Sequence, residues 1–184
     1  MRILETELEG VKIFEPDIFG DARGYFLETF NVARYREAGI YHDFVQDNLS
    51  VSRKDTLRGL HLQNPNSQGK LVMVTSGAVL DVAVDVRVGS PTFGRHVSVV
   101  LDSKAHRQLW IPRGFAHGFL ALSEEAHFLY KCDALYDRGS DMSIRWNDPG
   151  IKIDWPVTEP LLSEKDANAP FLRDITARLP RYKD

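Results

Sequence analysis

Residues 56–71, TLRGLHLQNPNSQGKL, bring Arg58, His61 and Lys70 into one short stretch with β-type sequence on either side. A histidine exchanges a proton near neutral pH, and a lysine or arginine can hold the anion left behind. Such a set could draw a proton from a carbon beside a carbonyl. The plainer alternative is a hairpin whose basic residues are merely solvated. Two further segments weigh against it: WIPRGFAHGFLALS, which carries His117, and FLYKCDALY, which carries Tyr130. A tyrosine can return the proton. Each also has a structural reading, His117 as a turn histidine between glycines and Tyr130 as a core aromatic with its hydroxyl bonded.

Other segments could complete a site. In DARGYFLE, Arg23 suits an anion and Glu28 suits hydroxyls, although the same residues describe a turn at 21–24 followed by a strand. In FVQDNLS, Gln46 and Asn48 would share one strand face with Asp47 on the other. An amide pair suits a sugar or a nucleobase, and equally a wet strand. Ser163–Glu–Lys–Asp166 has the form of a capping box. Asp166 could end its work there, or its carboxylate could bond one nitrogen of His61, fixing the tautomer and raising basicity.

A metal centre is the rival chemistry. Two-sheet β domains often hold a metal through an H-x-H pair, a following glutamate and a later histidine. Here the pair is His61-x-Gln63, and Lys70 stands where an acidic ligand would be welcome. A lysine cation opposes a divalent ion. His61 and His117 could supply two ligands, but no third or fourth is evident. No metal is expected.

The elements that must position these residues are mostly strands. Residues 70–75 read KLVMVT and 78–86 read AVLDVAVDV. In the second run Leu80, Val82, Val84 and Val86 share a greasy face and leave Asp81, Ala83 and Asp85 on the other. Residues 95–101, 107–111, 115–122, 127–132 and 143–146 are further short strands, separated by Gly, Pro, Asn and Ser clusters. Many short strands with short connections predict an all-β sandwich or barrel and argue against a parallel α/β sheet. Two short helices are expected. One is capped by Asn31 and runs through Ala38 to Gly39, and the other starts at Ser163. The polar stretch 173–184 predicts a frayed tail.

The chain has 184 residues, 43% hydrophobic and 27% charged, which suits one domain spanning 1–184 with a real core. A net charge of −3 supplies no global field for nucleic acid, so an anionic ligand needs a local cluster of Arg and Lys. Cys132 is the only cysteine, which excludes an intrachain disulfide and fits a reducing compartment. The start, MRILETELEG, lacks the apolar run of a signal peptide, and no stretch is long and apolar enough for a membrane-spanning helix. A soluble cytoplasmic protein is expected, with neither nucleic acid nor membrane as partner.

With these residues assembled, the chain resembles the dTDP-4-dehydrorhamnose 3,5-epimerase family of cupin-like enzymes. The likeness runs from about residue 4 to residue 172. It includes FGDARGYFLETF, FVQDNLS, LRGLH, QGKLV, GAVLDVAVDVR, SPTFG, QLWIPRGFAHGF, FLYKCDALY, IRWNDP, IDWP and LLSEKDA, in that order. The resemblance implies a jelly-roll β-sandwich working as a homodimer on a dTDP-sugar without cofactor or metal. It implies His61 as base, Asp166 as its orienting carboxylate, Lys70 as the holder of the enolate and Tyr130 as acid. Substrate-holding positions fall on Arg23, Glu28, Gln46, Asp47, Asn48, Arg58, Lys70, His117, Asp141 and Lys165. Two departures stand out. Asp141 replaces a glutamate found in many members, and Leu135 replaces the first of two aromatics, with Tyr136 as the second. A single-site 3- or 5-epimerase, a non-catalytic sugar-nucleotide-binding domain and a metal-dependent oxygenase of the same fold are the alternatives.

Overall fold

A computed structural model describes residues 1–182. Along the chain the strands are β1 (Arg2–Glu5), β2 (Lys12–Glu15), β3 (Phe19–Asp21) and β4 (Gly24–Phe26), then the short helix α1 (Val32–Glu37). Next come β5 (Gln46–Arg53), β6 (Leu57–Gln63), β7 (Lys70–Ser76), β8 (Ala78–Asp85) and β9 (His96–Asp102). The series closes with β10 (Gln108–Ile111), β11 (Phe115–Ala121), β12 (Glu125–Cys132), β13 (Asp141–Ser143) and the helices α2 (Glu164–Ala167) and α3 (Leu172–Ile175).

Two antiparallel sheets form the body. One runs β1-β2-β10-β7-β12-β5 and the other β13-β6-β11-β8-β9, while β3 and β4 make a separate hairpin. This is the all-β sandwich that the strand pattern predicts, in the jelly-roll form that the resemblance implies. The segment 56–71 is not a hairpin, because β6 and β7 lie in different sheets. It carries the chain from one layer to the other, so His61 and Lys70 come from opposite walls.

Alternation along the strands builds two apolar layers. Val72, Val74 and Phe128 from one sheet meet Val79, Ala83 and Phe119 from the other. The opposite face of the five-stranded sheet, with Leu60, Leu62, Val82 and Val84, is covered by Trp155, Leu172, Ile175 and Leu179. Burying each such side chain contributes roughly 1.5–3 kcal/mol. Both faces of β8 are therefore inside, and Asp81 and Asp85 are fully buried on the face that the alternation leaves polar. Asp85 is satisfied by Arg87, Ser90 and Thr92.

Both expected helices form. Asn31 Oδ1 accepts from the Ala33 and Arg34 amides, and α1 gives way to Ala38 and Gly39. Ser163 caps α2. The C-terminal stretch is docked rather than frayed where it is described, since Leu172, Ile175 and Leu179 are buried. Residues 183–184, the end of that expectation, lie outside the described residues. The strand expected at 143–146 is observed earlier, at Asp141–Ser143. Among the described residues no helix is long and apolar enough to cross a membrane.

Candidate active site

The inner faces of both sheets converge on one cleft. On β6, Leu60 and Leu62 pack outward and His61 between them turns inward. His61 is the register partner of His117 on β11, so the two imidazoles are cross-strand neighbours. On the facing sheet Tyr130 pairs with Val72 and Asn48, and Cys132 pairs with Lys70 and Gln46. These rows place Lys70, Tyr130, Gln46 and Asn48 on the inner side. A cavity of about 580 Å³ is lined by Arg58, His61, Lys70, His117, Tyr130 and Asp166, among others. A second, of about 280 Å³, shares His61, Lys70 and Tyr130 and adds Gln46, Asn48 and Asp141. The two are arms of one cleft meeting at the three shared residues.

Asp166 lies 105 positions beyond His61, yet its Oδ1 is 2.6 Å from His61 Nε2. Its amide donates to Ser163 Oγ at 3.1 Å. The backbone of Asp166 therefore closes the helix cap while its side chain holds the histidine, so the two roles coexist. The Gly59 amide also bonds the carboxylate. Gly59 has φ +136°, and a Cβ there would stand 2.6 Å from Gly118 Cα, so only glycine fits this approach of β6 to β11. Burial pushes the Asp166 carboxyl up. The bond and charge of His61, with Ser163 and Gly59, outweigh that and hold it below the usual aspartate range. With Nε2–H donated to Asp166, Nδ1 of His61 is left as the basic nitrogen.

His117 has its own carboxylate. Its Nε2 lies 2.9 and 3.1 Å from the two oxygens of Asp81, and its ring stacks on Phe128. The side chain of His117 is 9% exposed against 33% for His61. Across the cleft, burial lowers the Lys70 ammonium below the usual lysine range, partly offset by Cys132, Asp81 and Asp141. Burial raises the Tyr130 hydroxyl, with Cys132 adding to it and Arg58 opposing, so the phenol keeps its proton through the neutral range.

The remaining candidates divide. Arg58 donates to Ser52 Oγ at 3.0 Å and to the Val51 carbonyl at 3.3 Å while lining the cavity. Gln46 Nε2 donates to Asn48 Oδ1 at 3.0 Å within the cleft. Lys165 forms an ion pair with Asp141, and Tyr136 donates to the same carboxylate at 3.3 Å. Three residues are not in the cleft. Asp47 is on the opposite face of β5, ion-paired with Lys131 at 2.9 Å. Arg23 sits on the β3–β4 hairpin and bonds Asp21, and Glu28 pairs with Arg34 at 3.1 Å. Sequence reasoning passes over Asp81 and Arg53, although Asp81 holds His117 and Arg53 lines the cavity. The signal for Asp81 is a carboxylate inside an otherwise aliphatic strand. Among the described residues no group of three or more His, Cys, Asp or Glu gathers as a metal would require.

Comparison with known proteins converges on one family. The sequence pattern of the dTDP-4-dehydrorhamnose 3,5-epimerase family matches residues 5–174. The chain belongs to this family. The dTDP-4-dehydrorhamnose 3,5-epimerase of Shigella flexneri is 54% identical over 170 residues, covering 91% of this chain and 94% of that protein. The dTDP-6-deoxy-D-glucose-3,5-epimerase of Legionella pneumophila, solved with dTDP-4-keto-L-rhamnose, is 52% identical with a TM-score of 0.97. It covers 100% of this chain and 99% of that one. A 3'-monoepimerase of Streptomyces bikiniensis, solved with dTDP-quinovose, is 38% identical with a TM-score of 0.90, covering 97% and 92%. Membership in the epimerase family makes the chain an isomerase that acts on a dTDP-linked keto sugar. The cleft brings together a histidine on one wall and a tyrosine and a lysine on the other.

Proposed function

We propose that the cleft inverts carbons 3 and 5 of dTDP-4-keto-6-deoxy-D-glucose to give dTDP-4-keto-L-rhamnose. Hydrogens on those carbons flank the ketone and are the acidic ones. His61 Nδ1 takes one, and the C–H electron pair moves onto the carbonyl oxygen. Lys70 holds that oxyanion in a largely dry cleft, where such a donor is typically worth about 3–4 kcal/mol. Tyr130 delivers a proton to the opposite face, the ketone re-forms and the centre is inverted. Exchange with water then returns a proton to Tyr130 and removes one from His61. Arg58, His117 and Lys165 are suited to the diphosphate, and Gln46, Asn48 and Asp141 to sugar or base hydrogen bonds. The observation that carries the reading is that His61 and Tyr130 come from opposing sheets and share one cavity with Lys70.

The same proposal includes a homodimer in the cytoplasm. The β3–β4 hairpin exposes Phe19, Tyr25 and Phe26, and the edge strand β5 exposes Leu49 and Val51. An exposed apolar arm and an unpaired apolar edge each favour a second copy of the chain. Arg23 and Glu28 would then serve the site of the partner.

Heavy-water NMR with dTDP-4-keto-6-deoxy-D-glucose tests the reaction. Two deuterons per product molecule support double inversion, whereas one identifies a single-site epimerase, the class of the less similar 3'-monoepimerase. Tyr130→Phe should still exchange substrate hydrogen for deuterium yet form little inverted product. Normal inversion by that variant would remove Tyr130 from the mechanism.

A further inference from the structure

Lys70 is the first residue of β7, directly after the loop that crosses between the sheets, where a strand end is free to fray. Its neighbour Gly69 is held by Asp133, which Arg113 braces in turn. β10 and β12 flank β7, and each runs just past it: Arg113 follows β10 and Asp133 follows β12. The Gly69 amide donates to Asp133 Oδ1 at 2.7 Å, and the Asp133 amide donates to the Gly69 carbonyl at 3.1 Å. Arg113 Nε donates to Asp133 Oδ2 at 3.0 Å, and its guanidinium also bonds the Asp133 carbonyl at 3.3 Å. The side chain of Asp133 is fully buried.

The ion pair thus spans the start of β7 like a buckle, with Gly69 beneath it. A Cβ on Gly69 would stand 2.7 Å from Asp133 Oδ2 and 2.5 Å from the ring of Trp110. Gly69 therefore presses on the outer layer of the sheet, and strand alternation sends the next residue, Lys70, to the inner side and into the cleft. Asp133 touches neither cavity. Its carboxylate needs Arg113 to be neutralised and Gly69 to be satisfied, and what the three fix together is the backbone that carries the Lys70 side chain.

We propose that Asp133, backed by Arg113, is a positioning residue that sets where the Lys70 ammonium meets the substrate oxygen. This rests on the reading of Lys70 as holder of the oxyanion. A misplacement of about 1 Å in such a group can cost on the order of 100-fold in rate.

The test is a double-mutant cycle on the purified protein, with kcat and KM for dTDP-4-keto-6-deoxy-D-glucose and thermal unfolding read for each variant. Asp133→Ala should lower kcat by about 10- to 100-fold with KM within about 2-fold. Asp133→Asn, which keeps an acceptor for the Gly69 amide, should recover most of that loss. Lys70→Ala should be slow, and adding Asp133→Ala to it should cost nothing further in kcat. If Asp133→Ala fails to fold, Arg113→Gln takes its place, with a smaller fall in kcat that also vanishes without Lys70. If Lys70→Ala turns over normally, the oxyanion reading itself fails. If Lys70→Ala is slow while folded Asp133→Ala keeps a full kcat, or the two losses multiply, Asp133 does not act through Lys70 and the proposal is overturned.

Discussion

His61–Asp166 and His117–Asp81 pair the same chemical groups in two different settings. Asp81 and His117 lie on adjacent strands, β8 and β11, as diagonal neighbours within one register. Neither can shift without breaking sheet hydrogen bonds, and both are buried. Asp166 instead reaches His61 from a helix of four residues at the edge of the sandwich, and His61 is open to the cleft. The interior pair behaves as framework. The peripheral pair has one fixed member, the buried carboxylate, and one member that solvent and substrate can reach. Identical partners thus acquire different duties from where they are anchored.

Substitution of the two histidines should break this comparison most sharply. His61→Ala should lower deuterium exchange into substrate by about 10²- to 10⁴-fold, the usual worth of a general base. His117→Ala should retain exchange while raising KM. Equal losses of exchange in both variants would erase the distinction.

The carboxylates should divide along the same line. Asp166→Asn should cost about 10- to 100-fold in turnover, less than the loss of the base itself. Asp81→Asn should act mainly on stability, by about 1–3 kcal/mol for a buried partner left poorly bonded, measured by urea unfolding. Acid adds a second reading. The Asp166 carboxyl is held below its ordinary value of 3.8 in the folded state, so its contribution to stability is present above that value. It is lost as pH falls through the lower folded value. Asp166→Asn should therefore flatten the acid limb of the stability curve below about pH 4, and an unchanged limb would contradict the pairing.

Base has a smaller effect. Lys70 works as a cation, and burial holds it below the ordinary lysine value of 10.5. The alkaline limb of kcat should fall with a midpoint under that value, and Lys70→Arg, which stays charged, should move the limb upward. Least of all is expected from metal removal. With Lys70 in the cleft, exhaustive chelation should leave the rate unchanged, and activity restored by a divalent ion would overturn the assigned chemistry.

The strands and the sandwich were legible because β-branched alternation and turn residues act locally, and the Asn31 and Ser163 caps for the same reason. The pairing of residues 61 and 166 was legible only through the family resemblance, since nothing in the residues between them encodes their meeting. Asp81 was hidden differently. Its alternation is plain, but whether the second face of β8 meets water or another sheet depends on strands distant in sequence. The docked C-terminus did carry a signal, the spacing of Leu172, Ile175 and Leu179 at i, i+3 and i+7, which the surrounding charged residues obscured. The places of Arg23, Glu28 and Asp47 outside the cleft follow from the hairpin and from the parity of β5.

That parity reaches further. In β6 the residues on either side of His61 are core leucines, and in β7 Lys70 lies between Gly69 and Leu71, both turned the other way. Chemistry and framework are thus written in alternate letters of the same short words. Losing or gaining one codon inside either strand would send the reactive side chain into the hydrophobic layer and a leucine into the cleft. A one-residue change of length at these positions should therefore cost far more than the same change in the loops between the strands.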